Sequence, residues 1–206
     1  MKIILAFLSI IVCCVNLNGQ SIGYHTSIPV DELQQDFQVL KTVLKNYHPG
    51  LIRFEDSITV ESHFTALQNE LNREMSSTEL YILLSKFTAK LKCGHTFCSY
   101  YNQSGSIKDS IFNLTDKVPF TLFLFHKSMF IDKNLSEAPL NEGSEIISIN
   151  NNPVSHIIDS FLPYLKGDGN NNGKRIIDLE LSGLGKYEAF DTFFLCYSAQ
   201  INQLMI

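Results

Sequence analysis

An α+β fold is predicted for this chain of 206 residues: a three-helix bundle towards the amino terminus, a small β-rich module after it, and a helical segment beyond that. Two observations predict it. Between Asp31 and Gly94 apolar residues recur every three or four positions, the repeat of helices lying on a core. After Gly94 the repeat gives way to short aromatic and β-branched runs separated by turn residues, as in strands. The composition agrees, since 45% hydrophobic and 18% charged residues exclude a disordered, collagen-like or disulfide-scaffold chain.

The first helix is read over Asp31 to His48, with Leu33, Phe37, Leu40, Val43, Leu44 and Tyr47 on its apolar stripe and His48-Pro49-Gly50 as its stop. A second stripe, Val60, Phe64, Leu67 and Leu71, follows a start at Ser57/Thr59. Ser76-Ser77-Thr78-Glu79 has the form of a capping box and opens the third helix, with Leu80, Leu83, Leu84, Phe87 and Leu91 on its core face. Gly94 is expected to end that helix in the left-handed conformation.

Strands are expected at His95 to Tyr101, Val118 to Phe125 and Ser128 to Asp132, and an alternating strand at Ser144 to Asn150. A helix with Val154, Ile157, Ile158, Phe161 and Leu162 on one face follows. Lys174 to Leu181 and Lys186 to Tyr197 also look helical, the latter with an aromatic cluster at Phe190, Phe193 and Phe194. The apolar ending Leu204-Met205-Ile206 reads as a truncation. The divisions are 1–19, 20–105, 106–165 and 166–206.

The first of these divisions is a secretory signal peptide: Lys2, the apolar run Ile3 to Val15, then polar residues up to the small Gly19. Spanning a bilayer takes about 20 apolar residues, so this run is too short. Cleavage near Gly19/Gln20 and a periplasmic or extracellular chain, free of the membrane, are expected. A lipid anchor on Cys13 is disfavoured by Val12, where processing requires a small residue. Removing Lys2 leaves 15 basic residues against 21 acidic, a net charge of −6 that offers no cationic surface for nucleic acid. Three sequons, at Asn102, Asn113 and Asn134, matter only in a eukaryotic secretory route.

His95 is the residue singled out for chemistry, since it sits where a helix hands over to a strand. A base there needs a nucleophile close by, which the sequence does not supply. His25, His48, His63, His126 and His156 read as surface or capping residues. Export leaves Cys93, Cys98 and Cys196; Cys93-x-His95-x2-Cys98 has metal-ligand types but lacks a fourth ligand, and buried thiols account for it as well. Asp168-Gly-Asn170-Asn-Asn172-Gly173 matches half of a calcium loop, but Leu179 stands where the bidentate carboxylate belongs, and a helix N-cap explains the same residues. With no Gly-x-Ser-x-Gly elbow, Gly-rich phosphate loop or His-Glu-x-x-His, no cofactor and no metal is assigned.

Three motifs in order are more specific than any one of them: Asn46-Tyr-His48-Pro49-Gly50-Leu51, Leu91-Lys-Cys-Gly94-His95-Thr96, and Gly143-Ser-Glu145-Ile-Ile-Ser-Ile149-Asn150-Asn-Asn-Pro153-Val154. Together they resemble the amino-terminal part of exported serine peptidases of the C-terminal processing peptidase and tricorn-core family, over nearly all of residues 31 to 200. The resemblance implies a helical cap, a PDZ-like domain at 106–165, and a linker at 166–206 toward a catalytic domain with the serine, which this chain lacks. It implies that His95 is the general base and that the partner is a peptide or an unfolded protein C-terminus, added as a strand. Val118 to Phe125 reads equally as the pairing strand or a core strand. Two departures stand out: Gly94 occupies the place of an orienting serine in tricorn, and Cys93 that of an acid in related bacterial members. An orienting group must come from elsewhere, and the chain alone is expected to be inactive. The rival readings are a freestanding exported peptide-binding scaffold and a metal-binding protein built on Cys93, His95 and Cys98.

Overall fold

The computed structural model describes residues 27–99, 117–184 and 188–194. The segment read as a signal peptide, with Cys13, and likewise His25, the sequons at Asn102 and Asn113, the end of the strand expected at His95 to Tyr101, Cys196 and the last residues lie outside the described residues. The chain is α+β. Three helices come first: α1 (Val30–Tyr47), α2 (Ser57–Glu70) and α3 (Ser77–Lys90). Then come β1 (Phe120–Phe125), β2 (Ser128–Asn134), β3 (Glu145–Ile146), β4 (Ser148–Ile149), β5 (Asn152–Pro153), α4 (Val154–Phe161) with a 3-10 turn at Leu162–Tyr164, and α5 (Asn172–Ile177). Residues 189–194 are helical. None of the described helices is long and apolar enough to cross a membrane.

The helix starts follow from their caps. Asp56 accepts the Thr59 N–H at 2.7 Å and so opens α2, a bond that also holds its carboxyl below the usual range. At α3 the capping box is complete: Ser76 Oγ accepts from the Glu79 N–H at 3.2 Å, and Glu79 accepts the Ser76 N–H at 2.9 Å. The α1 stripe buries Leu33, Phe37 and Leu44 against Val60, Phe64, Leu67 and Leu71 of the α2 region and Phe87 and Leu91 of the α3 region. Two stripe residues are not core: Val43 is 48% and Tyr47 78% exposed. They belong to the last turn of α1, which overhangs a cavity instead of the bundle.

The left-handed residue at the exit of α3 is Lys92 (φ 54°), not Gly94 as the sequence suggested. Its ammonium pairs with Glu55 between α1 and α2, which ties down a conformation unfavourable for a side chain. No strand forms from His95 to Ser99 either. His95 lies in a turn, and side chains of the bundle engage the residues after it: Thr96 bonds His48 and Cys98 bonds Ser85.

β1, β2 and β3 form an antiparallel sheet in that order, with a register shift between Thr121 and Leu122. The expected strand from Ser144 to Asn150 is broken in two. Glu145–Ile146 pairs with β2, while Ser148–Ile149 pairs with Asn152–Pro153. The exposed Ile147 is the switch, and its carbonyl accepts the Val154 N–H at 3.0 Å. Asn150 (φ 50°) and Asn151 (φ 63°) are both left-handed, which suits a tight two-residue hairpin turn and the tolerance of Asn for that region.

Leu122, Leu124, Met129 and Ile131 pack on Val154, Ile157, Ile158 and Phe161 of α4. Leu179, Leu181, Phe190, Phe193 and Phe194 share this core, with Phe161 edge-on to Phe190 at 5.5 Å. The helix expected at Lys174 to Leu181 is shorter and earlier. Asn171 caps it by accepting the Lys174 N–H at 3.1 Å, and it stops at Ile177 because Leu181 exchanges backbone bonds with Leu122 at 3.1 Å. Tyr81 and Ile82 of α3 pack on this core while Leu80, Leu83 and Leu84 pack on that of the bundle, so α3 joins the two.

Candidate functional site

The site begins with how α3 ends. Beyond Lys92 the Cys93 carbonyl accepts the Thr96 N–H at 3.0 Å, closing a four-residue turn with Gly94 and His95 at its centre. Gly94 donates its N–H to Asp168 Oδ1 at 2.8 Å, and Gly169 donates to the Lys92 carbonyl at 2.9 Å. Two segments 74 positions apart are thereby locked side by side. Gly94 favours the close approach: a Cβ there would stand 3.1 Å from Asp168 Oδ2, and the carboxylate would have to give by a few tenths of an ångström. Gly169 (φ 58°) supplies the left-handed turn that brings the loop in.

On the other side is the stop of α1. The Gly50 N–H donates to His48 Nδ1 at 3.1 Å. The ring proton is therefore on Nε2, from which it is donated to Thr96 Oγ1 at 2.6 Å. His48, read from the sequence as a helix stop, thus also fixes the far end of the turn that carries His95.

Between these segments lies a cavity of about 550 Å³. Tyr47, His48, Arg53 and Phe54 line it from the α1–α2 side, and Cys93, His95, Thr96 and Asp168 from the other. His95 is exposed, on the rim and not sealed in the core. One ligand-type atom each from Cys93, His95 and Asp168 lie within 4.8 Å of one another. The group is a thiol, an imidazole and a carboxylate, open to solvent. Its three donor types can together hold a cation.

Asp168 is the residue that the sequence did not place here. It opens the half-matched calcium loop, but Asp168 Oδ1 accepts from the Gly94 N–H and Asn172 Oδ1 from Arg175 at 3.2 Å. No local signal links Asp168 to His95, because the link is tertiary. Cys98 is not in the group. Its thiol, pushed up to about 11 by burial, faces Ser85 and lines a separate cavity of about 540 Å³ with Tyr81, Tyr164 and Thr192. The Cys93, His95, Cys98 set is therefore split. Cys93 and Cys98 are both free thiols. His63 lies apart, in a shallow cleft between α2 and α3.

No protein-family model and no curated protein matches the chain, so the site is read from its own chemistry.

Proposed function

We propose that this chain is the amino-terminal part of an exported serine-type peptidase of the C-terminal processing and tricorn-core kind, with His95 as the general base. One observation carries the proposal: His95 is exposed at the mouth of a cavity, on a turn braced from both sides, with a carboxylate within 4.8 Å. In this reading the imidazole takes the proton of a serine hydroxyl on another lobe as the acyl-enzyme forms, then returns it to the leaving amine. Asp168, within 4.8 Å of the ring, is the orienting group for which Gly94 has no side chain. The antiparallel sheet under α4 is the PDZ-like part, and β3 at the sheet edge is where an extended peptide adds as a strand.

The test is to read the gene past codon 206 and to produce the chain with and without any domain encoded there. The chain of 206 residues is expected to leave an unstructured peptide intact. With the catalytic domain, peptide hydrolysis and labelling by a serine-directed fluorophosphonate are expected, both lost in His95→Ala. Hydrolysis by the chain alone that depends on His95, or full activity of His95→Ala in the longer protein, overturns the proposal. A stop codon with no such domain nearby favours the freestanding peptide-binding scaffold, for which the edge position of β3 is the supporting observation.

A further inference from the structure

We propose that Cys93, His95 and Asp168 form a binding site for one divalent transition-metal ion of the zinc class, with its fourth position open to the cavity. The inference stands on its own, whether or not the chain belongs to a peptidase. Three features lead to it. The first is distance: the three donor atoms lie within 4.8 Å of one another. Around a tetrahedral ion with bonds of about 2.0–2.3 Å, donor atoms sit roughly 3.3–3.6 Å apart, so side-chain rotations alone can close the set.

The second is charge and softness. A thiolate and a carboxylate bring two negative charges to a neutral imidazole, which a divalent cation cancels. One sulfur, one nitrogen and one oxygen suit a borderline-soft ion, whereas calcium and magnesium take oxygen throughout. The third is that the backbone carrying the donors is held before any ion arrives. Cys93 and His95 flank Gly94 on one closed turn, and the Gly94 N–H holds the Asp168 carboxylate beside that turn through Oδ1 at 2.8 Å. Cys98, hydrogen-bonded to Ser85 elsewhere, is no ligand.

On binding, the Cys93 thiol releases its proton to solvent, and His95 gives its nitrogen lone pair to the ion. The same lone pair would accept a hydroxyl proton. Ion binding and base catalysis at His95 therefore exclude each other, and the ion acts as a brake on the base.

The experiment is titration of the full chain with cobalt(II) under a non-thiol reductant. One equivalent is expected to produce the thiolate-to-cobalt charge-transfer band in the near ultraviolet and the intense visible bands of four-coordination, both removed by zinc(II). Cys93→Ser should abolish the charge-transfer band. Asp168→Asn retains the bond to the Gly94 N–H and should weaken binding by about tenfold or more. Cys98→Ser should bind as the parent does. Helical circular dichroism checks that each variant is folded, and a variant that has lost it is replaced by zinc protection of the parent Cys93 thiol from alkylation. The absence of the band at one equivalent, its persistence in Cys93→Ser, its loss in folded Cys98→Ser, or parent affinity in Asp168→Asn overturns the proposal.

Discussion

The bundle and the β module bury comparable sets of aromatic and aliphatic side chains by different means. The bundle core comes from one stretch of chain, Leu33 to Leu91, in which each helix carries its stripe at helical spacing. The module core is assembled from Phe120 to Phe194, with β1 set against Leu181 and α4 set against Phe190. A core of local helices is dictated by repeat and caps, while a core of strands depends on partners far along the chain. The candidate site lies on the seam, taking Cys93 and His95 from the exit of the bundle and Asp168 from the loop of the module.

The comparison is broken most severely at its best-packed point. Phe64 is fully buried, with Phe37 at 6.4 Å and Phe87 at 5.2 Å between ring centroids. Phe64→Ala should cost about 3–5 kcal/mol, because the ring's contacts are lost and the rigid helices leave a void. Since α3 packs on both cores through Tyr81 and Leu84, we expect urea denaturation to remain a single transition at lower midpoint, by both tyrosine fluorescence and circular dichroism. Two separated transitions would show that the regions unfold independently.

How much of this was legible in the sequence follows the same division. The α3 capping box was readable because Ser76 and Glu79 interact across three residues, and the buried stripe of α2 because its period is local. Val43 and Tyr47 extended the α1 stripe beyond the end of the core, since periodicity does not say where the partner stops. The strand from Ser144 to Asn150 was readable as extended chain, but not its change of partner at Ile147, which is decided by β2 on one side and β5 on the other. At the site, His95 was singled out at a helix-to-strand junction that does not form, since Lys92 takes the left-handed place expected of Gly94 and no strand follows from His95 to Ser99. Asp168 was not recognisable, because only the folded chain brings position 168 to position 94.

A smaller effect sharpens the local side of the comparison. Ser76→Ala removes the acceptor for the Glu79 N–H and the hydroxyl that donates to Glu79 Oε2, while the backbone N–H of residue 76 and Arg73, at 2.9 Å, still hold that carboxylate. A loss of about 1 kcal/mol is expected, within the usual 0.5–2 for such caps. Ser76→Asp should restore most of it, since a carboxylate can accept the same N–H. Failure of the rescue would mean that Ser76 matters for packing between Met75 and α3 and not for capping.

The smallest effect separates the regions by pH. His63 lies between α2 and α3 in a cleft lined by Leu67, Leu83, Phe87, Glu70, Lys86 and Lys90. Burial, and then the charges of Lys90 and Lys92, lower its pKa, while Glu55 opposes them. The unfolded chain therefore takes up the His63 proton at a higher pH than the folded chain does. The stability associated with neutral His63 is present in full above the unfolded value of about 6.5 and declines as pH falls through it, levelling once the folded ring is also protonated. Because the ring is partly solvated the decline is modest. It should show as a falling denaturation midpoint below pH of about 6.5 that is flattened in His63→Gln, with amide exchange rising first in α2 and α3 and later in β1 and β2. Equal slopes for the parent and His63→Gln would mean that the acid sensitivity belongs to other groups. A rise beginning in the sheet would place the acid-sensitive region in the module and away from His63.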